Sequence, residues 1–430
     1  MHLNWFRRVL LLAMGVANLL SAADKRPNFL FLYTDDQRWD ALSVVQKEQG
    51  EKARFPWFQT PNMDRIAAEG VRFRNAFVTL SLCAPSRAAF LTGRYNHFNG
   101  IASNFRPFPT NNVTHATLLR AAGYTTAYVG KWHMDSQRER PGFDFHASFI
   151  GHARYVDPPF IVDGRDVATQ GWIDDISTDY AIDFLKRQKD NTKPWSLIVG
   201  FKSPHGPFQP PERWADRFPE GYAKPVPNLD SMPPFPGPIN KGELPPEAKD
   251  PNGKLRVNLN YFRCIAAVDE NVGRLLKTLD ELGVADDTMV VYSSDNGFYL
   301  GEHRLADKRS AYDESMRIPL LVRYPKLGAR GRLVDDLAIN LDLAPTFLDC
   351  AGVAVPKEMQ GRSWRPLLEG KPVEWRNSFF YEYFWEQQRG NPTPTHTALR
   401  TTTAKLIKYQ DHNEWTEMFD LTHGSGSIHR

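Results

Sequence analysis

Four apolar segments of the chain are each followed by polar residues that could take part in chemistry. These segments lead into Asp35-Asp36, Gly130-Lys131-Trp132-His133, Lys202-Ser203-Pro204-His205 and Asp295-Asn296-Gly297. In open α/β sheets the carboxyl ends of parallel strands meet at one edge, where ligands bind. A cap or a solvated turn is the commoner explanation for any one of these residues, but their convergence predicts a shared site.

The oxygen-bearing residues of this set predict a metal site. Carboxylate and amide oxygens favour a hard cation, Ca²⁺ or Mg²⁺, over zinc, which prefers histidine and cysteine. The candidate ligands are Asp35, Asp36, Asp295 and Asn296. An Asx-type turn with a helix cap is the alternative explanation for the two adjacent aspartates.

A second set of residues is cationic or able to transfer protons. Such groups suit an oxyanion substrate whose leaving oxygen must be protonated. The set consists of Lys131, His133, His205 and Lys308. An isolated histidine is more often structural, so this interpretation requires that the residues lie together.

The strongest local pattern is the run LCAPSRAAFLTGR that begins at Leu82. Because proline is favoured at the first helical position, Pro85 places Cys83 just before a helix N-terminus, and Gly93 lies near the end of that helix. Free N–H groups and the helix dipole at such an end favour an anion. A free cysteine is usually a buried apolar residue, but the neighbouring Arg87 favours a reactive polar site.

These residues need a scaffold, and the apolar pattern predicts one. Near-continuous apolar runs indicate strands that are buried on both faces, over Asn28–Tyr33, Thr125–Val129, Trp195–Phe201 and Thr288–Tyr292. Helical spacing from Ile265 to Leu282 ends at Gly283, and a second helix ends at Gly123. Strands alternating with helices predict an α/β fold with a mostly parallel sheet flanked by helices.

Two segments depart from this alternation. The stretch 204–251 is rich in proline and predicts a long surface excursion without helix or strand. After about residue 355, three predicted strands over Phe379–Phe384, Thr397–Thr402 and Lys405–Tyr409 indicate a small C-terminal α+β subdomain with an antiparallel sheet.

Composition excludes several classes of protein. The 430 residues carry a formal net charge of +3, and 41% of them are apolar, which is typical of a globular protein. The sequence lacks the concentrated basic stripe that a nucleic-acid-binding protein would show. Three cysteines are too few for a disulfide framework or a multi-cysteine metal site. The odd count leaves at least one sulfur unpaired.

The N-terminus predicts export. Arg7-Arg8, an apolar run over Val9–Leu20 and the small residues Ser21-Ala22-Ala23 have the pattern of a cleaved signal peptide, residues 1–23. The run is too short to span a bilayer, although a retained anchor is the alternative. No later stretch is long and apolar enough to span, so we expect a periplasmic or extracellular protein.

The pattern Cys83-x-Pro85-Ser86-Arg87, followed by Leu91-Thr92-Gly93-Arg94, resembles the signature of the type I sulfatases, which have the alkaline-phosphatase-like fold. Other landmarks of that family occur in order: Asp35-Asp36-Gln37, Gly130-Lys131-Trp132-His133, Pro204-His205, Asp295-Asn296-Gly297, Gly301-Glu302-His303, Lys308 and Tyr312-x-Glu314-Ser315. The resemblance implies a catalytic domain over 24–354 and a C-terminal subdomain over 355–430. After Glu417-Met-Phe-Asp420-Leu421 the sequence departs from the family pattern, which implies a missing last helix.

The resemblance also implies the chemistry. A formylglycine-generating enzyme would convert Cys83 to Cα-formylglycine, whose hydrate attacks sulfur and forms a covalent sulfo-enzyme. Cys264 and Cys350 would then remain either as a disulfide or as two free, buried residues, and their positions on two apolar-patterned helices favour the free state. One Ca²⁺ would be held by Asp35, Asp36, Asp295, Asn296 and the modified Cys83. Arg87 would hold the formylglycine hydroxyl, and Lys131 and His205 would bind sulfate oxygens. Lys308 or His205 would protonate the leaving oxygen, and His133 would take a proton from the second hydroxyl.

The implied substrate is a sulfated glycan, because Pro204–Phe208, Tyr180–Leu185 and Tyr381–Tyr383 are most similar to N-acetylglucosamine-6-sulfatase-like members. His303 is the candidate substrate contact, and four tryptophans could line a carbohydrate pocket: Trp39, Trp132, Trp172 and Trp385. Alternatives are a phosphonate or phosphate ester hydrolase, arylsulfatase or choline-sulfatase specificity, and a non-catalytic carbohydrate-binding protein. A non-catalytic protein of this kind would be expected to have lost the nucleophile or a metal ligand, and this sequence keeps both.

Overall fold

The structure is a computed structural model that describes residues 26–134, 137–235, 253–328, 330–386 and 392–422, with the backbone of 428–429. The predicted signal peptide, residues 1–23, lies outside the described residues, as does most of the segment after Leu421. Within the described ranges no helix has the length and apolar character needed to cross a membrane.

Strands and helices alternate through the first three quarters of the chain. The strands are β1 (Asn28–Thr34), β2 (Val71–Phe73), β3 (Ala76–Phe77), β4 (Thr125–Lys131), β5 (Phe145–Phe149), β6 (Phe160–Val162), β7 (Arg165–Val167), β8 (Trp195–Gly200), β9 (Thr288–Ser294), β10 (Tyr299–Leu300), β11 (Ala306–Asp307), β12 (Leu320–Arg323), β13 (Arg332–Val334), β14 (Ala338–Ile339), β15 (Ser378–Tyr383), β16 (His396–Thr401), β17 (Ala404–Tyr409), β18 (His412–Asp420) and β19 (Ile428–His429). The helices are α1 (Ser43–Gln49), α2 (Pro61–Ala68), α3 (Cys83–Thr92), α4 (Asn96–Asn99), α5 (His115–Ala121), α6 (Ile173–Arg187), α7 (Leu259–Glu281), α8 (Asp313–Met316), α9 (Leu343–Cys350) and α10 (Arg365–Glu369).

The main sheet has ten strands within the described residues, in the order β13-β2-β12-β9-β1-β8-β4-β5-β6-β7. The four predicted strands are its centre, β9-β1-β8-β4, and all of their pairings are parallel. β12 pairs antiparallel with β9 and β2, and β6 pairs antiparallel with β5 and β7. The predicted α/β fold with a mostly parallel central sheet is confirmed.

Alternate side chains of β1 enter two different cores, which explains its continuous apolar sequence. Phe29, Phe31 and Tyr33 pack on the face that carries α3, α5 and α9. Leu30 and Leu32 pack on the opposite face with α2, α6 and α7. The central strands are thus covered on both sides, and only their ends are free to carry polar groups.

The predicted helix ends are also confirmed. After α7, Gly283 has a φ of +65°, and after α5, Gly123 has a φ of +90°, the left-handed conformation that glycine adopts without steric cost. Within its described residues the proline-rich excursion contains a 3-10 turn at Glu212–Trp214 and no longer helix. Cys264 and Cys350 are free, as predicted; Cys264 is buried, whereas Cys350 is half-buried.

The C-terminal sheet is antiparallel, in the order β15-β16-β17-β18-β19. Three of its strands were predicted. β18 was missed because its sequence, HNEWTEMFD, is mostly polar and does not alternate polar and apolar residues, and β19 was missed because it has only two residues. Phe379 on β15 stacks on Phe77 at 5.1 Å between ring centroids, so the sheet shares a hydrophobic core with the α3 side of the main sheet.

Candidate active site

The ends of β1 and β9 bring the predicted metal ligands together. Thr34 lies opposite Ser294 in the parallel register, so the residues that follow leave the sheet side by side. The backbone N–H of Asp36 donates to Oδ1 of Asp295 at 3.1 Å, and Nδ2 of Asn296 donates to Oδ1 of Asp36 at 2.6 Å. Oxygens of Asp35, Asp36 and Asp295 lie within 4.8 Å of one another, and all three residues are buried.

Helix α3 presents Cys83 to these carboxylates. Cys83 is the first residue of the helix, after the extended Leu82, so the prediction that it precedes the helix is wrong by one position. Proline is tolerated throughout the first turn, because N–H groups there have no intrahelical acceptor. The Sγ atom lies 3.4 Å from Oδ1 of Asp35 and 3.4 Å from Nζ of Lys308.

The thiol of Cys83 is a poor nucleophile as it stands. Its burial, together with the negative charge of Asp35, raises the pKa of Cys83 to about 12. The thiolate rather than the thiol is the reactive form of cysteine, so at neutral pH this sulfur stays protonated and weakly reactive.

Arg87 lies one helical turn after Cys83, and its guanidinium is fully buried among the carboxylates. Nε donates to Oδ2 of Asp295 at 2.9 Å, and Nη2 is 3.6 Å from Oδ2 of Asp35. Nη1 donates to the hydroxyl of Tyr33 at 3.2 Å. The N–H groups of the guanidinium therefore connect α3 to the ends of β1 and β9.

Two buried lysines contact the two adjacent aspartates. Lys131, the last residue of β4, contacts Asp35 through Nζ, and Lys308 contacts Asp36. Burial would raise the pKa of Asp35, but the positive charges of Lys131 and Arg87 outweigh it and lower the pKa well below the usual value. The carboxylate of Asp35 is thus held ionised although it is fully buried.

The two predicted histidines face the same cluster in their neutral forms. Burial lowers the pKa of His205 to about 4, and its Nε2 lies 3.7 Å from Oδ2 of Asp36. Nδ1 of His205 is 2.9 Å from the carbonyl oxygen of Gly206, which fixes the proton of the neutral ring on Nδ1. Burial, and then Lys131, lowers the pKa of His133 well below its usual value, and its buried Nδ1 has no partner among the described residues.

The donor set suits a hard cation. Burial and the neighbouring Asp35 raise the pKa of Asp295, because a third carboxylate in this space is repelled by the other two. Oδ1 of Asn296 is buried and accepts no hydrogen bond from the described residues. Three close carboxylates and one orphaned amide oxygen are the ligands that Ca²⁺ prefers.

His303 lies in a different environment. It is 4% exposed, stacks on Tyr312 at 4.0 Å, and has both ring nitrogens 3.1 Å from polar atoms of Asn228 and Ser231. These residues line a cavity of about 360 Å³ with Glu314. Among the described residues, no hydrogen bond or ion pair of His303 reaches Cys83, so its contact with substrate stays a prediction.

The prediction that four tryptophans line a carbohydrate pocket is wrong for two of them. Trp132 and Trp172 are 1% and 4% exposed and belong to the two cores. Trp39 is half-buried, with the guanidinium carbon of Arg317 3.7 Å from its ring centroid. Trp385 is 52% exposed and is the one of the four with a free face in the described structure.

Sequence reasoning missed His152. It follows β5, and its Nδ1 lies 3.0 Å from Nζ of Lys131. The strand-end rule would have found it if the short run Phe145–Phe149 had been recognised as a strand, but its alternation with polar residues was too brief to detect.

The site thus combines a cysteine at the N-terminus of a helix, a carboxylate cluster and several cations at the carboxyl edge of an α/β sheet. The chain belongs to the sulfatase family: the family model Sulfatase matches residues 27–353, and the model N-sulphoglucosamine sulphohydrolase, C-terminal, matches residues 301–429. It is therefore a sulfuric ester hydrolase, and the predicted resemblance is confirmed.

Several relatives are similar over most of their length. The N-acetylglucosamine-6-O-sulfatase of Bacteroides thetaiotaomicron is 35% identical, covering 96% of this chain and 85% of the relative. The N-acetylglucosamine-6-sulfatase of Homo sapiens is 28% identical, covering 85% and 68%. The solved structure of BT4656 in complex with its substrate D-glucosamine-2-N,6-O-disulfate is 33% identical, with a TM-score of 0.81 over 92% of this chain and 91% of that one.

The fold extends to other ester hydrolases. The structure of the phosphonate monoester hydrolase of Agrobacterium radiobacter matches with a TM-score of 0.71 at 22% identity, over 92% of this chain and 89% of that one. At this level of identity the likeness is one of fold.

Proposed function

We propose that this chain is an exported sulfatase that hydrolyses a sulfate ester of a sulfated glycan, with 6-O-sulfated glucosamine or N-acetylglucosamine as the first substrates to test. The observation that carries the proposal is the position of Cys83, whose Sγ lies 3.4 Å from both Asp35 and Lys308 at the carboxyl edge of the sheet. The names of the relatives support the substrate class. The signal-peptide pattern over residues 1–23 supports export.

We assign Cys83 as the precursor of Cα-formylglycine, made by a formylglycine-generating enzyme. Once formed, this group supplies a hydroxyl that attacks sulfur and a second hydroxyl whose deprotonation releases the sulfate. Arg87 is placed to orient the group, because its guanidinium lies one turn further along α3 and is held rigidly by Asp295. Splitting one displacement into two steps is the advantage of a covalent route.

Asp35, Asp36, Asp295, the Oδ1 atom of Asn296 and the modified residue 83 would hold Ca²⁺. Bound there, the ion would stabilise negative charge on the sulfuryl oxygens. Lys131 is assigned to the same oxygens through its ammonium group, which contacts Asp35. His205 is assigned to them in its protonated form, which a bound anion favours, because only then does its Nε2 carry a proton to donate. Together these cations give an anionic substrate a local attraction that the whole-chain charge of +3 does not supply.

Proton transfer is assigned to two further residues. Lys308 protonates the leaving oxygen, because its Nζ lies 3.4 Å from Sγ of Cys83, beside the position of the nucleophile. His133 takes the proton from the second hydroxyl, since its neutral ring has a buried, unpartnered nitrogen within the described structure.

We assign residues 24–354 to the catalytic domain and 355–430 to the C-terminal subdomain. Ion pairs that cross this boundary support one folding unit, because Asp313 of α8 lies 2.9 Å from Nζ of Lys405 and 3.2 Å from Nη2 of Arg400. The subdomain therefore packs on the catalytic domain rather than forming an independent module.

The test combines a modification and a substrate panel. The mass of the peptide that contains residue 83, from protein made in a host with the maturation enzyme, should show the aldehyde in place of the thiol. The same protein should hydrolyse N-acetylglucosamine-6-sulfate or glucosamine-2-N,6-O-disulfate faster than an aryl phosphonate. Unmodified cysteine in active protein refutes the mechanism, and a strong preference for the phosphonate refutes the substrate class.

A further inference from the structure

The loop after β5 carries a histidine that the proposed mechanism does not use. β5 pairs in parallel with β4 so that Phe149 lies opposite Lys131, and this register brings the following residues over the lysine. Nδ1 of His152 is 3.0 Å from Nζ of Lys131. Its ring centroid lies 4.1 Å from that of His133 and 4.1 Å from that of His205.

The hydrogen-bond partner of His152 determines which nitrogen carries its proton. A lysine ammonium can only donate, so Nδ1 accepts and the proton of the neutral ring resides on Nε2. The charge of Lys131, followed by burial, lowers the pKa of His152 well below its usual value, which agrees with a neutral ring. Nε2 makes no hydrogen bond to any described residue, so it is a free donor between two histidines of the site.

A neutral donor at this point has a physical advantage. Lys131 and Arg87 are already close to the carboxylates, and another cation would repel them. A neutral N–H adds a hydrogen bond to an anionic group without adding charge. The same ring limits the freedom of the Lys131 ammonium, whose other described contact is Asp35.

We propose that His152 is a further residue of the sulfate-binding site. Its Nδ1 positions the Lys131 ammonium, and its Nε2–H donates to an oxygen of the sulfuryl group. This inference rests on the proposed sulfatase function and extends it to a residue outside the signature motif.

The test compares two substitutions in the full-length, matured protein with calcium present. His152→Leu keeps an apolar side chain of similar size and removes both polar nitrogens, whereas His152→Gln retains one acceptor and one donor. His146→Leu on β5 is the matched control, because Nε2 of His146 accepts from the N–H of Gly164 at 3.2 Å and its Nδ1 lies 3.8 Å from Asp163, both outside the cluster. The measurements are kcat and KM on the best sulfate ester, and the Kd for inorganic sulfate by calorimetry.

We expect H152L to lower kcat/KM by about 10²-fold, the usual effect of removing one preorganised donor, and to weaken sulfate binding about tenfold. H152Q should recover at least half of each loss on a logarithmic scale, and H146L should match the parent. Equal values for H152L and H152Q, or unchanged sulfate affinity in H152L, would overturn the proposal, since both indicate a packing role. A parent protein that binds sulfate but hydrolyses no sulfate ester contradicts the proposed function, while the sulfate affinities still decide the role of His152.

Discussion

Nε of Arg87 donates to Oδ2 of Asp295 at 2.9 Å, and Nη2 of the same guanidinium lies 2.8 Å from that oxygen. Neither side chain is exposed to solvent. The pair connects the helix that carries Cys83 to the end of β9, so it fixes the position of the nucleophile precursor relative to the carboxylates. The structure thus uses one ion pair both for geometry and for charge balance.

Arg87→Lys should lower kcat/KM by at least about 10²-fold, because an ammonium cannot reproduce the planar, multidentate contacts of the guanidinium. The loss of a hydrogen bond to the buried carboxylate of Asp295 also lowers the free energy of unfolding by about 1.5–3 kcal/mol. Both values can be measured by steady-state kinetics and denaturant titration. Arg120→Lys, at an exposed ion pair with Asp144, is the matched control and should change neither quantity. Parent-like kinetics for R87K would exclude the assigned role of Arg87.

Cys83→Ala should abolish turnover and leave the fold intact. The Sγ atom makes two long contacts of 3.4 Å, so its loss removes chemistry more than packing. Circular dichroism and the Tm should stay close to those of the parent. Cys350→Ala, at a half-buried free cysteine outside the site, should retain full activity. Turnover by C83A would show that another residue is the nucleophile.

Calcium removal should lower both activity and stability. Three buried carboxylates lie within 4.8 Å of one another, and without a cation their repulsion is offset only by the neighbouring side chains. Dialysis against a chelator should therefore lower the Tm, and added Ca²⁺ should restore it by mass action. Asp36→Asn removes one carboxylate charge and should reduce the rise in Tm on calcium addition. If the Tm is the same after chelation and after calcium addition, this cluster is not a cation site.

The stability of the protein should fall at acidic pH partly because of His115. This residue is fully buried, neither of its ring nitrogens has a partner in the described structure, and burial lowers its pKa to about 3. Below the ordinary histidine pKa of 6.5, this residue binds a proton in the unfolded chain but not in the native chain. Each pH unit between 6.5 and about 3 therefore removes about 1.4 kcal/mol of stability through this group.

His115→Leu should reduce the dependence of the unfolding free energy on pH. Denaturant titrations at about pH 7.5 and about pH 5, on either side of the ordinary histidine pKa of about 6.5, measure this dependence. Leu119→Ala on the same helix is the control, because it removes packing at both pH values and no titratable group. An unchanged difference between the two pH values in H115L would mean that His115 is protonated in the native protein.

The sequence alone determined most of the residues that meet at the site. The strand-end residues were predictable because buried parallel strands have a simple apolar pattern, and the ends of such strands must converge. The cysteine motif identified the family by local spacing. Cys83, Arg87, Lys131 and His205 could therefore be placed in one cluster before any distance was known.

Only the tertiary structure decided what surrounds that cluster. His152 reaches Lys131 through the register of a short strand that has no clear pattern in the sequence. Trp132 and Trp172 are buried in the cores, while His303 is held by Asn228 and Ser231 from the excursion. These outcomes depend on how loops pack against the sheet, and that packing is set by contacts between residues far apart in the chain rather than by the periodicity of any one segment.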